Sequence, residues 1–372
     1  MPSVKFDKLK LPSYGQMGGV AFHCSDVQLS ANGPRVLLFG GQRQGISGDM
    51  YSFEHSSGDG FALLPEADDG PPPAARTQAT LTSIGAEPQS ELLLFGGFAL
   101  NIGCMNDVWK CTITLDLASM PVPHWIQLET TGTAPSPRYG HSATYLGAES
   151  GLVAIFGGQD TVQQFGDLFV LSSAGAWTSP TVSGPAPSPR MKHTATVVGG
   201  AGADRAGACR VLIFGGFHKL ERCLSDAYEL EMSADGGTAR WTALAPEPPV
   251  GAKPIPPRAQ HAAACSADGR YVFLHGGYDG AKPLADVWQL DYAAQTLRKL
   301  ELDMPVPEAR SRHTCHMIGD TLHLFGGYDG SKPTAGDVFV LDCADPAAME
   351  TEGGSVDKKR QGQEAVKEDH NE

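Results

Sequence analysis

The sequence is short of charge. Only 19% of its 372 residues are Asp, Glu, Lys or Arg, and the balance is one-sided, with 28 basic against 42 acidic residues and a net charge of −14. A chain this acidic repels nucleic acid and anionic membrane, so neither is expected as a partner. Long hydrophobic runs are also lacking. A stretch such as Leu92 to Asn106 carries no charge, but it is too short to cross a bilayer and is broken by Gly96 and Gly97. Membrane insertion is therefore not expected. Met1 to Leu11 carries Lys5, Lys8 and Lys10 and no apolar core, which does not read as a secretory leader. None of the eight cysteines stands in a CxxC pair, and their spacing fits neither a zinc site nor a compact disulfide framework. Reduced thiols in a cytoplasmic protein are expected. HExxH, GxSxG and Gly-rich phosphate-loop elements are missing as well. No catalytic residue, cofactor or metal site is assigned on these grounds.

What the sequence has in excess is glycine and proline. The 45 glycines and 27 prolines make up about 19% of the chain, against roughly 12% in average usage. The glycines lack a period of three, which excludes a collagen-like chain. With 41% hydrophobic residues the chain is too apolar for wholesale disorder. Many tight turns and few charges favour an all-β architecture.

An internal repeat organises those turns. A double glycine follows an apolar run six times, beginning at Gly40, Gly96, Gly157, Gly215, Gly276 and Gly326, at spacings of 56, 61, 58, 61 and 50 residues. Eight to ten residues later an aspartate opens a second apolar run: Asp49, Asp107, Asp167, Asp226, Asp286 and Asp337. An aromatic or apolar pair spaced by three comes next, as in Trp125 and Leu128 or Trp241 and Leu244. In the third repeat Trp177 has Pro180 in place of its partner. A Pro-rich turn then ends in Arg76, Arg138, Arg190, Arg258 or Arg310. Histidine follows three residues later at His141, His193, His261 and His313, and Ala79 takes that place after Arg76. Each unit thus holds four short apolar runs, enough for a four-stranded antiparallel sheet.

These motifs resemble the kelch-repeat family: paired glycines, an Asp-led aromatic strand and a Trp-x-x-Leu strand, over roughly residues 1–345. The resemblance implies an all-β, six-bladed β-propeller with one blade per repeat. Residues 346–372, with seven acidic and four basic residues and no apolar periodicity, are expected to form a disordered polar tail. Lys358-Lys359-Arg360 holds too few basic residues to be set apart as a nuclear import signal. A stand-alone propeller without a BTB, BACK or F-box segment is expected. The sixth repeat has no fourth strand of its own. Phe6-Asp7-Lys8-Leu9 has the missing spacing and lies ahead of the first repeat's inner strand, expected near Gly19 to Cys24. The N-terminal strand is therefore expected to complete blade 6 and leave no open edge.

The repeated residues read first as structural. The arginines and aspartates are candidates to pair around the ring. The four histidines lie one per blade, too dispersed to converge on a metal, and are expected to hydrogen-bond. The innermost strands are rich in Thr, Ser and Ala, with His316 as the one exception, and suit a narrow wet channel.

Strand alternation places the loop after each double glycine and the turn into each arginine on one face. That face is the candidate binding site: Arg43, Tyr139, Lys192, His218, Lys219, Gln260, Tyr278, Arg312 and Tyr328. In kelch proteins such a face often docks peptides, and its basic and aromatic groups suit a protein or acidic peptide segment. The expected function is a non-catalytic adaptor or scaffold. The resemblance adds trafficking, cytoskeletal or ciliary assembly as settings. The alternative is a small-molecule enzyme of lyase, epimerase or specifier type using the axial channel, although the iron motif of the plant specifier proteins is not found.

Overall fold

The computed structural model describes residues 6–9, 21–30, 33–42, 45–54, 60–85, 91–116, 120–199, 208–303, 306–334 and 337–345. Arg43 and the expected tail lie outside these. Among the described residues there is no helix; the strands form six sheets. Blade 2 serves as the pattern. Its inner strand Thr80–Ile84 pairs antiparallel with Glu91–Ala99, that strand with Gly103–Leu115, and that with the outer strand Pro121–Gln127. The sixth sheet runs Thr314–Ile318, Thr321–Phe325, Val338–Asp342 and then Phe6–Lys8. The N-terminal strand is thus the outermost strand of the last blade, with Phe6 opposite Leu341 and Lys8 opposite Phe339. Lys8 Nζ also meets the Asp337 carboxylate at 2.7 Å.

The core lies between blades. Side chains alternate along each strand, so one blade feeds two interfaces. In blade 1, Leu37 and Phe39 pack toward Leu92 and Leu94 of blade 2, whereas Val36 and Leu38 join Phe325 and Val338 of blade 6. Six such clusters separate six pairs of neighbours, which closes the ring.

Two details depart from the sequence reading. Blade 1 begins later than expected, with its inner strand at Cys24–Ser30. The lead-in holds Phe22 and His23, the counterparts of residues that follow the repeat arginine elsewhere. In the third repeat the outer strand is only Trp177–Thr178, ended before Pro180. The next segment, Thr181–Ser183, crosses over and pairs parallel with the outer strand Thr238–Leu244 of blade 4, making that sheet five-stranded.

The repeated arginines and aspartates lock blades 2 to 5. Arg190 is fully buried, and its guanidinium donates to Gly215 O at 3.0 Å and to both Asp226 oxygens at 2.7 and 2.8 Å. Arg76–Asp107, Arg138–Asp167 and Arg258–Asp286 repeat this fork. The pairs therefore form within blades, not around the ring, because the turn ending in Arg and the loop ending in Asp flank the same sheet end. Arg310 keeps the contact to Gly326 O, at 3.0 Å. The paired glycines fit where two blades meet. A Cβ on Gly215 would lie 2.7 Å from Arg258 O of blade 5, and one on Gly216 would lie 2.9 Å from Met191 O and His193 Cβ of its own blade. Both have positive φ, +59° and +103°, so only glycine fits without strain.

The histidines link neighbouring blades. His141 Nε2 lies 2.9 Å from Thr80 Oγ1, His193 Nε2 2.8 Å from Ser142 Oγ, His261 Nε2 2.9 Å from Thr194 Oγ1, and His23 Nε2 2.9 Å from Thr314 Oγ1. Where blade 5 has Ala262 in place of the hydroxyl, His275 takes over at 2.9 Å from His313 Nε2. His275 itself stands where five repeats have Phe before the glycines. Between blades 1 and 2 both partners change together, to Cys24 and Ala79, and the two pack in one apolar cluster.

Candidate functional site

The residue two positions after each repeat arginine, together with Phe22 of blade 1, builds the centre of one face. Phe22, Gln78, Gly140, Lys192, Gln260 and Arg312 all have φ between +56° and +66°. Five are not glycine, a backbone state that costs about 1–2 kcal/mol per residue. Their amides close a ring. Gln78 N donates to Phe22 O, Gly140 N to Gln78 O, Lys192 N to Gly140 O, Gln260 N to Lys192 O, Arg312 N to Gln260 O and Phe22 N to Arg312 O, at 2.7–3.1 Å. This collar surrounds the mouth of an axial funnel of about 280 Å³, lined below by the histidine belt and by Ser25, Thr80, Ser142 and Thr314.

Two cations converge on the collar. Arg312 is stacked 4.1 Å from the Phe22 ring and 4.6 Å from Tyr328, and its Nε donates to Gln260 Oε1 at 3.0 Å. Lys192 Nζ lies 5.5 Å from the same Phe22 ring. Burial, together with Arg312, pulls the Lys192 ammonium down to about 8. Among the described residues no carboxylate makes an ion pair with either cation. The loop carboxylates nearby are engaged locally. Asp279 Oδ1 accepts from the Ala281 and Lys282 amides, and Asp329 Oδ1 from those of Ser331 and Lys332, which takes Asp329 down to about 2.

The sequence-derived candidates therefore divide. Lys192, Gln260 and Arg312 share the mouth. Tyr328 touches Arg312, and its backbone pairs with Ser311. Tyr278 pairs with Ala259 and donates its hydroxyl to Gly280 O at 3.0 Å. Tyr139 pairs with Gln159 and packs on Phe98 at 5.6 Å. His218 and Lys219 stand farther out on the blade 4 hairpin, where His218 Nδ1 lies 3.5 Å from Glu221. Phe22 and Gln78 were missed by the sequence reading. Phe22 follows no arginine, since Val20 holds that place, but a fixed two-residue offset from the arginine finds Gln78 and Gly140.

A family model described as "KLHDC2/KLHL20/DRC7 Kelch-repeats domain" matches residues 26–247 and 201–370. The chain belongs to the kelch-repeat family. The "Rab9 effector protein with kelch motifs" of Xenopus laevis is 28% identical over 232 residues, 61% of this chain and 56% of that protein. Human "Host cell factor 1" is 26% identical over 321 residues, 79% of this chain and 14% of that protein. "Tip elongation aberrant protein 1" of Schizosaccharomyces pombe is 30% identical over 209 residues, 55% of this chain and 16% of that protein. The chain spans less than two thirds of the length of these curated relatives.

Within this kelch propeller the channel wall holds a polar cluster at the seam of blades 1 and 6. Ser25 Oγ lies 2.7 Å from Thr314 Oγ1 and 2.8 Å from His316 Nε2, and His316 Nδ1 lies 4.0 Å from Asp26 Oδ1. His316 is thus not the only ionisable group on the inner strands. Asp26 accepts from the Val27 and Ser83 amides, and burial raises it to about 6. The members of a nucleophilic triad are present without its geometry: 4.0 Å exceeds a hydrogen bond, and burial takes His316 down to about 3, leaving it a weak base. The cluster ties the ring's first and last blades together.

Proposed function

We propose that this kelch propeller is a non-catalytic interaction module that binds a partner protein or acidic peptide segment across the face around the axial mouth. The observation carrying this reading is the pair of cations, Lys192 and Arg312, which no carboxylate pairs among the described residues, held in a rigid backbone collar on a chain of net charge −14. A cation that stays partly desolvated without a carboxylate favours an incoming anion. Tyr139, Tyr278 and Tyr328 add flat, half-exposed aromatic surface of the kind that anchors interfaces. His218 and Lys219 extend the basic character outward on the blade 4 hairpin. The module would serve as a cytoplasmic adaptor or scaffold. The likeness to a protein named as a Rab9 effector favours trafficking among the settings, ahead of cytoskeletal or ciliary assembly.

Affinity capture with the wild type and with a Tyr139→Ala, Lys192→Glu, Arg312→Glu variant tests the reading. The variant is expected to lose the partners the wild type retains. Identical recovery by the two would place the interface elsewhere.

A further inference from the structure

The face around the mouth is chemically divided. In blades 5 and 6 the glycine loops are near copies, Tyr278-Asp279-Gly280-Ala281-Lys282-Pro283 and Tyr328-Asp329-Gly330-Ser331-Lys332-Pro333, with polar turns fixed by their aspartates. Blades 2, 3 and 4 present apolar side chains at the same place. Leu100 and Ile102 at the blade 2 tip are 77% and 60% exposed, Val162 in blade 3 is 77% exposed, and Leu220 at the blade 4 tip is 83% exposed. Single exposed apolar residues are ordinary, but four at equivalent loop tips of three consecutive blades are a patch.

The three loops are held against one another. The Gln164 amide nitrogen donates to Phe217 O at 3.1 Å, and Gln164 Oε1 accepts from Lys219 N at 2.6 Å, which fixes the blade 3 loop to the blade 4 hairpin. The blade 2 thiol of Cys104 faces the Thr161 amide of the blade 3 loop. In blades 2 and 4 the two middle strands continue past the bulge at the double glycine, so that the tips stand out as paired hairpins. The apolar arc is thus carried on braced backbone, which limits the ordering cost of binding. At its inner edge lies Lys192 of blade 4, and Arg312 follows two places along the collar, in blade 6.

We infer that the ligand is an acidic–apolar peptide segment. One carboxylate sits at the mouth between Lys192 and Arg312, and the apolar side chains beside it lie across Leu100, Ile102, Val162 and Leu220. The inference rests on the proposed peptide-binding face and adds its direction and its second chemistry. Charge complementarity commits the arc to this occupant: a segment running from the arc into the mouth meets Lys192 and then Arg312, whereas a second copy of this chain brings a net charge of −14 against itself.

A random dodecapeptide display library panned against the full chain tests this, followed by anisotropy titration of the enriched, fluorescein-labelled peptides. The inference expects enriched peptides that combine Asp or Glu with Leu, Ile, Phe or Val. Their affinity should fall roughly tenfold or more in a Leu100→Ser, Val162→Ser, Leu220→Ser variant, and at least as far in a Lys192→Glu, Arg312→Glu variant. Acidic peptides without apolar bias, bound equally by the Ser variant, would overturn the inference and leave the binding face standing. No enrichment over the Lys192→Glu, Arg312→Glu variant would overturn both. Self-association of the wild type, abolished by the Ser variant, would assign the arc to a second copy of this chain and would also overturn the inference.

Discussion

The buried repeat arginines and histidines have partners whose loss has a direction. Arg258 is fully buried against Asp286, whose side chain is only 16% exposed. Arg258→Ala should cost about 3–5 kcal/mol, because it leaves a poorly solvated carboxylate behind. Arg138→Ala should cost less, since Asp167 is 41% exposed and can turn to water. Urea unfolding of the two variants would show the order, and equal losses would contradict it. The histidine belt gives a second test. His275→Phe should destabilise, because His313 Nε2 then has no partner across from Ala262. Adding Ala262→Thr should recover much of the loss by restoring the hydroxyl that four other interfaces have. Failure of the double variant to recover would mean that His275 acts through packing alone. At this scale the glycines, arginines, aspartates and repeat histidines were legible because each recurs at a fixed spacing. The collar was not, because its defining property is a backbone angle shared by Phe, Gln, Gly, Lys and Arg, which share no side-chain chemistry. Gln78→Gly should leave stability unchanged or raise it by up to about 1 kcal/mol, since relieved φ strain exceeds glycine's extra chain entropy.

Among the elements, the N-terminal strand is the one that joins the two ends of the ring. Phe6 is fully buried in the cluster between blades 5 and 6, beside Leu341, Phe339 and His275. Deleting residues 1–10 should sharply lower the melting temperature, and Phe6→Ala alone should cost about 3–5 kcal/mol. An unchanged melting curve after the deletion would contradict the closure. This closure was legible in the sequence because the sixth repeat lacks a fourth strand and residues 6–9 have its spacing. The position of blade 1's inner strand was not legible, since that repeat has no arginine to mark the turn. The parallel strand Thr181–Ser183 on blade 4 also escaped, because its side chains are all exposed and leave no apolar pattern to read.

For the whole molecule, acid should be the weak point. His23 is taken down to about 4, and His141, His193, His275 and His316 to about 3, by burial; His261 and His313 are lowered for the same reason. Such groups are neutral in the fold and take up protons near 6.5 when unfolded. Below that pH the unfolded state binds more protons, and stability falls toward pH 3–4 by up to about 1.4 kcal/mol per histidine per pH unit. Asp26, raised to about 6 by burial, and Glu229, also raised by burial, work in the opposite direction, but they are two groups against seven. Urea midpoints at pH 7.5 and pH 5 should therefore differ clearly, and equal midpoints would contradict the buried belt. The same architecture gathers at the axial mouth of an acidic protein two cations, Lys192 and Arg312, that no carboxylate pairs among the described residues, and the functional account rests on them. The most direct test of that account is a photo-crosslinking amino acid placed at Tyr139, on the mouth face, and separately at Glu149, in an exposed turn at the opposite end of blade 3. A partner adduct is expected from position 139 and should disappear when Lys192→Glu and Arg312→Glu are added. An adduct from position 149 alone, or one from 139 that persists in the charge-reversed protein, would contradict it.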